Sequence, residues 1–139
     1  MIDAELVLRK LAMIIEDLER VRPLAALSAS DYLAAELEQA AAERYLERMI
    51  GRMIDICFHL VTEHGERPPP DYYDSFLALG KLGVLTAEQA RRIAPAAGLR
   101  NRLAHEYDAI DPGKVHAALQ DALRDIPDFV AAVRDHLAE

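Results

Sequence analysis

The feature that most constrains the fold is a run of apolar side chains in mid-chain: Leu46, Met49, Ile50, Met53, Ile54, Ile56, Cys57, Leu60 and Val61. On a helical wheel they form one continuous arc. The arc is wider than a two-helix seam requires, so this helix has to meet several neighbours at once. Ala, Leu, Glu and Arg dominate the rest of the chain while β-branched and aromatic residues are sparse, which favours an all-α fold.

The other elements follow from periodicity and punctuation. Leu8, Leu11, Ile15 and Leu18, widened by Ile14, predict a helix from Ile2 to about Val21, ended by Pro23. Helical composition resumes at Asp31 and runs to about His64, with room for a break between Leu33 and Glu36. Gly65 and Pro68-Pro69-Pro70 stop it, and a short helix from Asp71 to about Leu82 is closed by Gly83. Thr86-Ala87-Glu88-Gln89 has capping-box spacing and opens a segment that Pro95 and Gly98 should kink. That segment is expected to stay helical to about Tyr107. Asp111-Pro112 reads as an N-cap with Pro at the first helical position, starting a last helix that runs to about Leu137 and that Pro127 bends or divides. The expected architecture is an antiparallel bundle of about five to six helices. At 139 residues, one domain spanning 1–139 is the natural reading.

Composition excludes several function classes. The single cysteine, Cys57, rules out an internal disulfide and a cysteine-based zinc cluster, so a reducing cytoplasmic setting is expected. With no secretory signal pattern and no apolar run of spanning length, no membrane association is expected. A net charge of −8 argues against extended nonspecific binding to duplex DNA.

The chemistry concentrates in Arg100-Asn101-Arg102-Leu103-Ala104-His105-Glu106-Tyr107. Arginine offers a planar fork of donors for phosphate oxygens, and histidine can shuttle protons near neutral pH. Residues 91–102 hold Arg91, Arg92, Arg100 and Arg102 and no acid; taking those four charges from −8 leaves −12 for the rest. Such a basic island favours local phosphate contact. On a regular helix Asn101 and His105 share a face with Arg102 close by, Arg100 and Tyr107 share another stripe, and Leu99 and Leu103 anchor the segment to the core. Cleaving RNA without a metal needs a base for the 2′-hydroxyl, an acid for the leaving oxygen and cations for the developing charge. One histidine cannot easily do both proton jobs, so a symmetric homodimer joining two such motifs is expected.

This motif, Arg100 followed after four residues by His105 and then Tyr107, resembles the R-x-x-x-x-H-x-Y signature of HepT-like toxins in the HEPN superfamily of helical ribonucleases. The resemblance spans nearly the whole chain, including Ile54-Asp55, the Tyr72 to Leu82 helix, the Gly98-Leu99-Arg100-Asn101 lead-in and the Asp108-Ala109-Ile110-Asp111-Pro112 exit. It implies that Arg100 and His105 form the nuclease pair, with Asn101 as a polar helper and no metal of the chain's own. It also implies that an MntA-type nucleotidyltransferase antitoxin uses ATP and magnesium to attach AMP to Tyr107. Asp55 as an auxiliary across the dimer is a further implication.

Blander readings stand beside these. Tyr107 alone reads as a core-edge residue with a satisfied hydroxyl. Arg91 and Arg92 read as a solvated helix face, with RNA contact as the alternative. Asp55 lies near Arg48, Arg52 and His59 on the wheel, as in an ordinary ion-pair face. His59, His64, His116 and His136 are expected at the surface or at helix ends, and Met49 and Met53 in the core. The competing function is a noncatalytic helical subunit that binds and assists a minimal nucleotidyltransferase; a plain dimerisation module is a third.

Overall fold

A computed structural model describes residues Met1–Glu139. Seven α-helices follow one another: α1 (Ala4–Ala25), α2 (Ala29–Leu33), α3 (Glu36–Glu63), α4 (Tyr72–Lys81), α5 (Ala87–Ile93), α6 (Ala96–His105) and α7 (Pro112–Leu137). A 3₁₀ turn, Tyr107–Ala109, joins the last two. Apart from the 5-residue α2, these are the six helices of an all-α bundle. No helix is long and apolar enough to cross a membrane.

The predicted arc on α3 is the centre of the molecule: each of its nine residues is buried, from Leu46 to Val61. Each aliphatic side chain so buried contributes roughly 1.5–3 kcal/mol. Facing it, α1 buries Val7, Leu11, Ile14, Leu18 and Val21. This stripe differs from the predicted one, because Leu8 is 47% exposed and Ile15 only half-buried. Taking Val7 in place of Leu8 gives alternating steps of four and three that stay on one face toward α3.

A ladder of polar contacts fixes the direction of that pair. The N-terminal amine meets Glu63, the Asp3 amide donates to His59 Nε2 at 3.0 Å, and Lys10 Nζ lies 3.3 Å from Asp55. At the far end Asp17 takes Arg52 at 3.0 Å and Arg48 at 3.3 Å, so α1 and α3 run antiparallel. The start of α7 meets the end of α1: His116 and Gln120 donate to the Leu27 and Ala25 carbonyls, each at 2.8 Å, supplying partners that a helix end lacks. His64 and His136 meet at 3.0 Å, placing the C-terminal ends of α3 and α7 together.

Local signals place most boundaries. Asp3, Ser28, Asp71 and Asp111 each accept a backbone N–H at the N-terminus of a helix, and Thr86 and Gln89 form the predicted capping box. Gly65 and Gly83 take φ +82 and +79, a region that L side chains rarely adopt. The break after Leu33 is realised, and Ser28 starts α2 slightly before the expected Asp31. The expected kink is a full break: α5 ends at Ile93, and Pro95 stands before α6. Pro23 acts otherwise than predicted, and the division at Pro127 does not occur. Pro23 lies inside the last turn of α1, and α7 is continuous across Pro127. Both are exposed, so water can serve the carbonyls that their missing N–H groups leave free.

Candidate functional site

Helix α6 carries the polar segment. Buried Leu103 and half-buried Leu99 seat it, as predicted, while Asn101 and His105 point outward one turn apart. His105 is the last residue of α6. Neither side chain makes a hydrogen bond within the chain. The helix stops there because Glu106 takes φ −127 and ψ 39, so Tyr107 belongs to the 3₁₀ turn. The predicted Arg100–Tyr107 stripe is therefore absent. Tyr107 is also no core-edge residue: it is 69% exposed, and its hydroxyl has no partner in the chain.

Arg100 leaves α6 on a different side. Its guanidinium carbon stands 5.5 Å from the centre of the Tyr72 ring, which meets Phe58 edge-on at 6.1 Å. Its Nε is buried and donates to nothing. These residues, with Gly51, Ile54 and Asp55, line an open cleft of about 230 Å³ between α3, α4 and α6. Arg100, in the middle of α6, and His105, its last residue, lie on different sides of the helix and do not touch.

Asp55 departs from its expected environment. Arg48 and Arg52 turn away from it to the fully buried Asp17, which also takes Arg20 at 2.8 Å, while Asp55 keeps only Lys10 and lines the cleft opposite Arg100. A buried carboxylate needs such partners, and Arg48 and Arg52 reach it because α1 packs along their stripe. The signal for this hub was present: Asp17 interrupts the apolar positions of α1 between Ile14 and Leu18.

The basic island does not survive folding as one surface. Arg92 pairs with Glu88 at 2.6 Å and lies 3.9 Å from Asp125 of α7. Arg92 and Arg102 line one cavity of about 210 Å³ with Lys114, Asp121 and Asp125, apart from the cleft that holds Arg100. Arg91 is exposed and makes no ion pair. Glu88 lies one turn before Arg92, just outside the acid-free window, whereas Asp121 and Asp125 come from a helix distant in sequence that no such window could reveal. Tyr72, Phe58 and Gly51 were missed for the same reason, since no spacing rule links α3 and α4 to α6.

The other sequence candidates behave as structural residues. His59, His64, His116 and His136 all serve contacts at or near helix ends. Cys57 is fully buried, and burial pushes its thiol well above its ordinary range, which removes it as a nucleophile. No three His, Cys, Asp or Glu side chains form a metal-holding group.

Fold and site together define a helical domain whose sixth helix presents Asn101 and His105 to solvent and holds Arg100 in a cleft. Residues 14–133 match the family described as Ribonuclease HepT-like. A protein named tRNA nuclease HepT, from Aphanizomenon flos-aquae, is 36% identical over 128 residues, covering 92% of this chain and 87% of that protein. The chain belongs to the HepT-like ribonuclease family. Among solved structures, the tri-AMPylated Shewanella oneidensis HEPN toxin in complex with MNT antitoxin aligns with TM-score 0.83 at 23% identity, covering 97% of this chain and 99% of that one. The cytosolic protein YutE of Bacillus subtilis, of unknown function, aligns with TM-score 0.86 at 18% identity, covering 98% and 91%. These two show the same fold.

Proposed function

We propose that the chain is the toxin of a toxin–antitoxin pair, a metal-independent endoribonuclease that acts as a symmetric dimer. The carrying observation is that Asn101 and His105 face solvent on one side of α6 with no partner inside the chain, beside a cleft that holds Arg100. Polar groups kept free at the end of a well-seated helix are available to substrate. The relative named as a tRNA nuclease supports RNA as the substrate and makes tRNA the first to test.

One histidine removes the 2′-hydroxyl proton while that oxygen attacks phosphorus, and the second, from the partner subunit, protonates the departing 5′-oxygen. Arg100 stabilises the charge on the phosphorane oxygens, and Asn101 orients the phosphate. The products are a 2′,3′-cyclic phosphate and a 5′-hydroxyl. Asp55, across the cleft from Arg100, is an auxiliary acceptor.

Tyr107 is the silencing site. A nucleotidyltransferase antitoxin joins the Tyr107 oxygen to the α-phosphorus of ATP, releasing pyrophosphate and the phenol proton; ATP and magnesium belong to that partner. The neighbouring complex of an AMPylated toxin with its antitoxin supports this, as does the exposure of Tyr107. The added phosphate brings negative charge to a site that must bind RNA phosphates.

Purified, unmodified protein should cut tRNA in EDTA, and His105→Ala should lower the rate by roughly 10²- to 10⁴-fold. Equal rates for the two proteins would point instead to the noncatalytic subunit. With the cognate transferase, magnesium and ATP, intact mass should rise in AMP steps, and Tyr107→Phe should abolish the rise; an unchanged rise would move the modification elsewhere.

A further inference from the structure

The cleft beside Arg100 is built from unlike parts. Asp55 offers an acceptor-only carboxylate, Phe58 and Tyr72 offer flat rings, Ile54 offers an apolar wall, and Gly51 leaves the space open. A Cβ added at Gly51 would meet no atom within 4 Å. Its volume, about 230 Å³, lies below the range of roughly 300–1,000 Å³ for pockets that take drug-sized ligands, which suits one planar ring system. The buried Arg100 Nε without an acceptor is the second pointer. An unpaired buried donor is costly, so a ligand that draws the guanidinium toward an acceptor restores a hydrogen bond and uncovers the Tyr72 face.

We infer that this cleft is a base-binding subsite, taking the nucleobase next to the phosphate that Arg100 holds and preferring bases that carry an amino group. This rests on the ribonuclease reading above and adds a source of sequence preference to it. Stacking on Tyr72 and Phe58 tolerates every base, because every base has a π-face. Asp55 selects: an ionised carboxylate accepts from the cytosine amino group and meets only an acceptor at the same position of uracil. The exposed Lys10 contact, at 3.3 Å, leaves the carboxylate other lone pairs to offer.

The test is a titration of the dimer with cytidine 3′-monophosphate, uridine 3′-monophosphate and inorganic phosphate, read by calorimetry. The cytidine nucleotide should bind about tenfold tighter than the uridine nucleotide, the scale of one good base contact, and both should bind tighter than phosphate. Asp55→Asn should bring the two nucleotides to within roughly twofold of each other, since an amide can donate as well as accept. Gly51→Leu fills the cleft and should leave nucleotides binding no better than phosphate, with wild-type helicity and melting temperature as the control for folding. Nucleotides binding no tighter than phosphate in the wild type, or an unchanged advantage in a folded Gly51→Leu protein, would overturn the subsite. RNA cleavage is followed separately. Cleavage without base-dependent binding removes the subsite and keeps the nuclease, and base-dependent binding without cleavage does the reverse.

Discussion

Tyr32 is fully buried against His116, with ring centres 4.9 Å apart, yet its hydroxyl has no hydrogen-bond partner. Burial, and secondarily the nearby Glu43 carboxylate, pushes its phenol up to about 12. The folded value lies above the ordinary unfolded value of about 10, so the neutral phenol's contribution is complete below about pH 10 and is lost as pH rises through 12. Tyr32→Phe should remove an ultraviolet phenolate step near pH 12 and flatten the alkaline loss of stability; a persisting step would refute the assignment. At neutral pH the same variant should unfold in urea within about 1 kcal/mol of wild type, or above it, because an unpaired buried hydroxyl disappears. Asp17 is the opposite case, a buried charge with three guanidinium partners. Its role depended on which helix packed beside it, whereas the core residues of α3 were recognisable from spacing alone.

At the scale of elements, two helical glycines separate propensity from packing. Gly51 faces open space, so Gly51→Ala should raise stability by up to about 1 kcal/mol, the ordinary gain of Ala over Gly in a helix. Gly80 lies where α4 crosses α5, and a Cβ there would stand 2.9 Å from the Ala90 Cβ. Gly80→Ala should destabilise despite the same propensity gain, since overpacking typically costs about 1–3 kcal/mol. Urea unfolding of both variants checks this, and a stabilised Gly80→Ala would show that α4 and α5 can part freely. Caps were readable because they are local: Asp71, Thr86 and Asp111 each act within three residues of themselves. The tolerance of Pro23 and Pro127 was not, because it depends on which side of the helix faces water.

At the scale of the whole molecule, one chain holds an incomplete reaction centre under the proposed mechanism. His105 faces solvent and Arg100 lies in its cleft, with no contact between them. The dimer should sediment at about twice the 15.5 kDa chain mass. A heterodimer of one wild-type and one His105→Ala chain keeps only one of the two histidines, so it should cleave roughly 10²- to 10⁴-fold more slowly than wild type. About half of the wild-type rate in the isolated heterodimer would instead place each centre within a single chain.

The amino-acid sequence by itself determined the helical class, the central position of α3, most helix starts and the polar segment from Arg100 to Tyr107. These are consequences of periodicity, of capping and of side-chain chemistry over a few residues. Only the tertiary structure decided that Arg92 meets an α7 acid, that Arg48 and Arg52 serve Asp17 and leave Asp55 to Lys10, and that Tyr72 and Gly51 share a cleft with Arg100. Each joins residues far apart in the chain, and charge and ring contacts depend on distances that only helix packing sets.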